Sequence, residues 1–300
     1  MQIGFIGLGK MGLEMATRAI QAGHELIGCD ASTTALTNAQ ERGIPAVATI
    51  QELLERLSAP RILWLQTPPG DSTNTLLRDI SECADKGDII IDGGNSDFRD
   101  TLRNAQMLEE KGLHFMDVGV SGGVAGAKNG CGLLIGGSVD IYETMIPFFE
   151  ALAAPNGYAR CGGIGSGHYA KTIHNGVEYA IMQAYAEGYE MLRASDIEVD
   201  ILAALQAYQN GCSIRSHILE KVIEALQPDV TLDGIASFVA DSGMGRWTVE
   251  EATRLKVPTP TISAALQARF RSQQEDSPSM QCISALRGTI GGHPVKRKNG

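Results

Sequence analysis

Near its start the chain runs from an apolar stretch, Ile3-Gly-Phe-Ile6, straight into Gly7-Leu8-Gly9-Lys10-Met11-Gly12, and then into helical periodicity. Three glycines at that spacing, between a strand and a helix, confine the segment to a tight strand–turn–helix unit. The first permits the turn, and the second lets backbone approach a bound pyrophosphate. The third lets helix and strand touch, with the helix N-terminus facing the anion. A second strand follows and ends at Asp30, close to the expected offset of about 20 residues for an acid that reads a dinucleotide's ribose. Gly7, Leu8, Gly9, Lys10, Met11, Gly12 and Asp30 are therefore expected to hold a dinucleotide. A carboxylate at Asp30 accepts the ribose hydroxyls of NAD and repels the 2′-phosphate of NADP. Residues 31–34 are Ala, Ser, Thr and Thr, with no arginine to offset that acid. NAD is expected, with NADP second; the competing structural reading is that Asp30 only caps the next helix.

The first half of the chain repeats this alternation. Apolar runs predict strands over 3–6, 25–29, 61–65, 89–92, 114–117, 133–135 and 158–161. Amphipathic helices fall between them, among them 11–22, 50–57 and 98–111, and Thr49 with Glu52 makes a capping box for the second. Such alternation implies a parallel, doubly wound Rossmann-type α/β sheet. After the turn Gly162-Gly-Ile-Gly-Ser-Gly167 the strand signals fade. Helices are expected over 168–194, 198–209, 213–226, 231–242, 247–254 and 259–273, and the last fifteen residues read as an extended tail. The division predicted is 1–164 for the nucleotide domain and 165–300 for an all-α domain that binds substrate and dimerises.

Bulk properties narrow the function classes. A net charge of −10 argues against nucleic acid or an anionic membrane as partner. The six cysteines are scattered, with no C-x-x-C pair and no Cys/His metal spacing, so reduced thiols in a cytoplasm are expected rather than disulfides or a metal. The N-terminus reads as a strand rather than a signal peptide, and no apolar stretch is long enough to span a bilayer.

One helical stretch carries candidate chemistry. Lys171, His174, Asn175 and Glu178 fall at i, i+3, i+4 and i+7 on a face that continues into Met182, Tyr185 and Tyr189. Between Gly167 and Ala186 the only formal charges are Lys171 and Glu178. Two turns separate them by about 10 Å, too far for a direct i,i+4 pair, so a ligand between them is one reading. The other is that both heads snorkel to water. Loops at strand ends add Gln66-Thr67-Pro68-Pro69-Gly70, Asp92-Gly-Gly-Asn95-Ser96 and Val120-Ser121-Gly122-Gly123, each of which could equally be an ordinary turn. The last lacks the Gly-Lys-Ser/Thr ending of a phosphate loop, which excludes an NTPase.

With these residues together, the chain resembles the 6-phosphogluconate dehydrogenases of the β-hydroxyacid dehydrogenase superfamily, in their short branch. The resemblance runs nearly end to end. It rests on Gly7–Gly12, residues 92–96, Ser121-Gly-Gly123, Gly167-His-Tyr-Ala-Lys171 through Glu178-Tyr179, Gly245-Arg-Trp247, Arg269, and Arg287 with His293. It implies oxidative decarboxylation of a sugar-acid phosphate, 6-phospho-D-gluconate, by a homodimer or homotetramer without a metal. In the implied roles Lys171 is the base and Glu178 the acid. Asn95, Ser121, Gly122, Gly123, His174 and Asn175 hold the sugar acid. Tyr179, Arg269, Arg287 and His293 hold the phosphate, the last two from a neighbouring subunit. Met11, Thr67 and Asn95 line the cofactor. A lysine base needs its pKa lowered toward about 7–8, which burial in an apolar helix face can supply.

Two departures from the family stand out. Ser242 and Met244 replace a lysine and a threonine that hold phosphate in the long members, and Cys29-Asp30-Ala31 replaces the Asn-Arg-Thr of the NADP-dependent ones. A non-decarboxylating dehydrogenase of the 3-hydroxyisobutyrate type is the nearest alternative, though it needs neither Glu178-Tyr179 nor a phosphate cluster. A non-catalytic NAD sensor is a third, against which Lys171 argues.

Overall fold

The structure, a computed structural model, describes residues 1–298. Its elements alternate as β1 (Gln2–Ile6), α1 (Lys10–Gln21), β2 (Glu25–Cys29), α2 (Thr33–Glu41), β3 (Ala46–Val47), α3 (Ile50–Arg56), β4 (Ile62–Leu65), α4 (Asp71–Cys83), β5 (Ile89–Asp92) and α5 (Phe98–Glu110). They continue as β6 (His114–Ser121), α6 (Gly123–Asn129), β7 (Cys131–Gly136), α7 (Val139–Leu152) and β8 (Ala153–Gly162). Helices follow: α8 (Ser166–Arg193), α9 (Ile201–Gly211), α10 (His217–Leu226), α11 (Met244–Leu255), α12 (Pro260–Ser272) and α13 (Pro278–Gly291). The chain divides into two compact units, Met1–His174 and Asn175–Gly300.

In the first unit one sheet runs in the order β3-β2-β1-β4-β5-β6-β7-β8. The order reverses direction between β1 and β4, and at such a switch the loops at the strand ends part to leave a ligand crevice. Leu-Trp-Leu in β4 and Ile-Ile-Ile in β5 are buried because helices cover both faces of the sheet. One face packs Phe5, Trp64, Phe148 and Phe149, and the other packs Leu53, Leu77, Ile90 and Leu108. In the second unit Leu205, Leu219, Ile223 and Leu226 form one core, while Tyr179, Ala265 and Leu266 form another.

The expected architecture holds, with four corrections. β7 runs antiparallel to β6, because residues 122–130 are too short a connection for a parallel crossover. β3 is too short to give a periodic signal. No helix forms over 231–242: Asp229 captures the amide and hydroxyl of Thr231, Leu232 is left-handed at φ 55, and these turns interrupt helical bonding. Finally, the expected extended tail begins as helix: residues 286–291 are the last part of α13. Ser277 caps α13, Pro278 opens it and Gly292 closes it at φ 63. At α3 the cap is half as expected. Thr49 accepts the Glu52 amide, but the Glu52 carboxylate accepts from Ala48 rather than from Thr49. No helix among the described residues is long and apolar enough to cross a membrane.

Candidate active site

A cleft of about 600 Å³ opens at the C-terminal ends of β1, β2 and β4. Gly7 adopts φ 94 and donates its N–H to the Cys29 carbonyl at 2.9 Å. A Cβ on Gly12 would lie 1.9 Å from the Gly7 carbonyl oxygen, whereas one on Gly9 would meet only open space. So α1 is held hard against the turn, and the backbone at Gly9 is bare toward the cleft, as a pyrophosphate requires. Gly12→Ala should push α1 off the turn and lower the melting temperature by several degrees, since overpacking strain is about 1–3 kcal/mol. A thermal melt coincident with wild type would show that α1 can retreat freely.

Asp30 lines the cleft, and its carboxylate is fixed from both sides. Oδ2 accepts the Leu8 N–H at 2.7 Å and Oδ1 accepts the Ser32 N–H at 2.8 Å. The cap of α2 is Ser32, whose hydroxyl accepts the Ala35 amide. Asp30 is thus not the cap of that helix. Burial, reinforced by Asp30 and Glu52, pushes the neighbouring Cys29 thiol up to about 12, so it adds no charge. Thr67 is oriented by Thr73. Thr73 gives its proton to the Pro68 carbonyl at 2.7 Å, so Thr67 must donate to Thr73, leaving the Thr67 oxygen able to accept. Lys10, Met11 and Asn95 line the same cleft.

Asn95 links the cleft to a second cluster. It is left-handed at φ 58, and its amide pairs with both backbone groups of Val120, accepting at 2.8 Å and donating at 3.1 Å. Next to Val120, the Ser121 hydroxyl lies 3.3 Å from His174 Nε2, and His174 Nδ1 lies 3.4 Å from Lys171 Nζ. Gly122 and Gly123, at φ 120 and 58, turn β6 into α6 beside this serine. Lys171 is only 5% exposed, whereas His174 is exposed.

Residues to which the sequence reading gave no role in the site set the depth of that lysine. A Cβ on Gly119 would lie 2.4 Å from Lys171 Cβ, and one on Gly167 would lie 2.4 Å from the Leu134 carbonyl, so α8 starts directly on the backbone of β6 and β7. Buried Asp117 accepts the amides of Gly165 at 2.6 Å and His168 at 2.8 Å, which satisfies the first turn of α8. Burial pushes the Asp117 carboxyl up, while the His168 ring and both amides pull it down. His168 is itself buried, with Nδ1 2.7 Å from Thr101 Oγ1 and no hydrogen-bond partner at Nε2 among the described residues.

In the second unit, Asn175 and Glu178 are half-buried on α8. Tyr179 is buried; its hydroxyl lies 3.1 Å from Ser242 Oγ, and the Arg269 guanidinium lies over its ring at 3.4 Å. Arg269 also donates to the Ala240 carbonyl at 3.3 Å. Gly245 admits the Tyr179 ring, since a Cβ there would lie 2.4 Å from it. Met244 is buried, and Arg246 is paired with Asp241 at 2.7 Å. Arg287 lies on α13 and His293 just beyond it. Both are exposed, and neither side chain is hydrogen-bonded to Tyr179 or Arg269 among the described residues.

Residues 2–165 match the NAD binding domain of 6-phosphogluconate dehydrogenase, and residues 167–289 match the C-terminal domain of 6-phosphogluconate dehydrogenase. The chain is 38% identical over 301 residues to the NAD(+)-dependent, decarboxylating 6-phosphogluconate dehydrogenase of Haloferax volcanii, covering 100% of both chains. It is 32% identical to the decarboxylating 6-phosphogluconate dehydrogenase of Lactococcus lactis subsp. lactis, with 91% of this chain and 61% of that one covered. Among solved structures, the 6-phosphogluconate dehydrogenase of Plasmodium falciparum superposes with a TM-score of 0.83 at 28% identity, over 100% of this chain and 67% of that one. The 3-hydroxyisobutyrate dehydrogenase of Salmonella typhimurium, at 21% identity and a TM-score of 0.73 over 89% of this chain and 92% of that one, shares the fold. The chain belongs to the 6-phosphogluconate dehydrogenase family.

Proposed function

We propose that this chain catalyses the oxidative decarboxylation of 6-phospho-D-gluconate to D-ribulose 5-phosphate and CO2, with NAD as oxidant. The observation that carries the reading is buried Lys171, linked through His174, Ser121 and the Val120–Asn95 pairing to the rim of a dinucleotide cleft. The full-length similarity to an NAD(+)-dependent, decarboxylating relative supports it. NAD, when bound, supplies the acceptor for the C3 hydrogen. Gly7, Leu8, Gly9, Lys10, Met11 and Gly12 would hold its phosphates, Asp30 its ribose, and Thr67 and Asn95 its reactive end. Lys171 takes the 3-hydroxyl proton. As an ammonium it then stabilises the enolate left by CO2, and Glu178 protonates C1 of the enediol. Ser121, Gly122, Gly123, His174 and Asn175 would hold the sugar acid, and Tyr179 and Arg269 the phosphate. The Ser242 hydroxyl beside Tyr179 supplies one neutral donor where the long members have a lysine.

We further assign 1–164 to cofactor binding and 165–300 to substrate binding and dimerisation. The enzyme works as a homodimer or homotetramer in the cytoplasm, a setting in keeping with six scattered cysteines. The test is NADH formation from 6-phosphogluconate, NAD against NADP, with CO2 trapped and 3-hydroxyisobutyrate as the comparison. NADH from 3-hydroxyisobutyrate alone would reassign the substrate. Cofactor choice has its own test. Asp30→Asn with Ala31→Arg replaces a repulsion with a charge-assisted bond to the 2′-phosphate. The ratio of kcat/KM for NADP over NAD should rise by about tenfold or more, as expected for one charged contact of 1.4 kcal/mol or greater. An unchanged ratio would remove Asp30 from the ribose site.

A further inference from the structure

We infer that His174 is a proton relay that discharges Lys171 to solvent through Ser121. The inference rests on the proposed reaction and follows from its proton balance. The hydroxyl O–H bond breaks and its proton goes to Lys171, while the C3–H pair leaves to the oxidant. The bond to CO2 then breaks, and its electron pair becomes the enolate double bond. The Lys171 ammonium protonates the enolate oxygen and takes that proton back as the enol closes to the ketone, while Glu178 gives its proton to carbon. At the end Lys171 holds one proton too many and Glu178 one too few. A second turnover needs both restored.

Lys171 cannot readily shed its proton to bulk water, because it is 5% exposed and its stem lies against Gly119. His174 is exposed and bridges the two environments, with Nδ1 3.4 Å from Lys171 Nζ and Nε2 3.3 Å from Ser121 Oγ. A neutral imidazole has one accepting and one donating nitrogen, so it can take up a proton on one side while it releases one from the other. With the ring hydrogen on Nε2, Nδ1 accepts the proton as the Nζ–H bond breaks. The Nε2 proton passes to the Ser121 oxygen as the Ser121 hydroxyl proton passes to water. The ring is left neutral with its hydrogen on Nδ1, and exchange with water through the exposed edge resets it. Holding substrate would require only a donor at position 174. Carrying protons requires two nitrogens, one that accepts as the other donates.

His174→Gln separates these roles, because the amide still makes hydrogen bonds but cannot be protonated near neutrality. The expected result is a fall in kcat of about tenfold or more, within the range for a lost proton-transfer group, with KM for 6-phosphogluconate within about threefold of wild type. Added imidazole should restore kcat in proportion to its concentration, while the wild type ignores it. Three outcomes would overturn the relay: a kcat equal to that of wild type, a rise in KM alone, or a low kcat that imidazole leaves unchanged. Wild-type enzyme measured alongside distinguishes the two readings. If it makes no NADH from 6-phosphogluconate, the reaction and the relay fall together. If it does and His174→Gln matches it, only the relay falls.

Discussion

Lys171→Met is expected to abolish NADH formation from 6-phosphogluconate while NAD binds as in the wild type. Methionine keeps an unbranched apolar stem, which matters because the Lys171 stem runs against Gly119 with no room for a branch. What is lost is the amine, and with it both the base for the hydroxyl proton and the cation for the enolate. Loss of a positioned general base lowers rates about 10²–10⁴-fold. The lost cation acts at a second step and should place the effect at the upper end. The cofactor cleft is lined by residues at the ends of β1, β2 and β4 and in the segments that follow β1 to β5, with Lys171 not among them. NAD affinity, followed by fluorescence titration, should therefore change by less than about threefold, and the melting temperature should stay within a few degrees. A variant that keeps a third or more of the wild-type kcat would rule Lys171 out as the base.

How far such a site can be read from sequence depends on the separation of its parts along the chain. The nucleotide turn is local. Gly7, Gly9, Gly12 and Asp30 lie in one strand–helix–strand unit, and their spacing alone foretold the turn, the bare backbone at Gly9 and the position of Asp30. The polar face of α8 was legible for the same reason, because i, i+3 and i+7 positions share a face whatever lies opposite. What lies opposite was not legible. Asp117 reaches Gly165 and His168 across about fifty residues of chain, and Gly119 matters only because Lys171 packs on it. The pairing of Tyr179 with Arg269 came from the resemblance, not from spacing. Among the helices, the failure at 231–242 has a local cause. Apolar periodicity there was real, but Asp229 and left-handed Leu232 tie the backbone into turns, leaving Ile235 and Phe238 exposed. In α13 the error ran the other way. Glycines 288, 291 and 292 suggested an extended tail, yet the caps at Ser277 and Gly292 outweigh them.

Mixing inactive Lys171→Met protein with inactive Arg287→Ala protein, after unfolding and reassembly together, is expected to restore activity. The reason lies in α13. None of its residues is buried, and Met280, Ile283, Leu286 and Ile290 leave apolar side chains in solvent at near-helical spacing. A helix that buries nothing gains little stability from its own chain, and exposed apolar side chains in such a row mark a contact surface. Arg287 lies within this row, between Leu286 and Ile290, and the backbone N–H of His293 reaches back to the Arg287 carbonyl at 3.4 Å. A guanidinium and an imidazole presented together suit a phosphate dianion, since the guanidinium binds it bidentately and the ring adds a donor. Docked on a second copy, α13 would carry both to the phosphate site of that copy, where Tyr179 and Arg269 are stacked together. In a two-fold dimer this exchange is reciprocal. A mixed dimer then has one site with both lesions and one site with neither. Random reassembly of equal amounts should return about one quarter of wild-type activity, because half the dimers are mixed and half their sites are intact. Size-exclusion chromatography of differently tagged parents shows whether mixed dimers form. If they do and the mixture stays as inactive as its parents, each tail serves its own chain and the exchange is wrong.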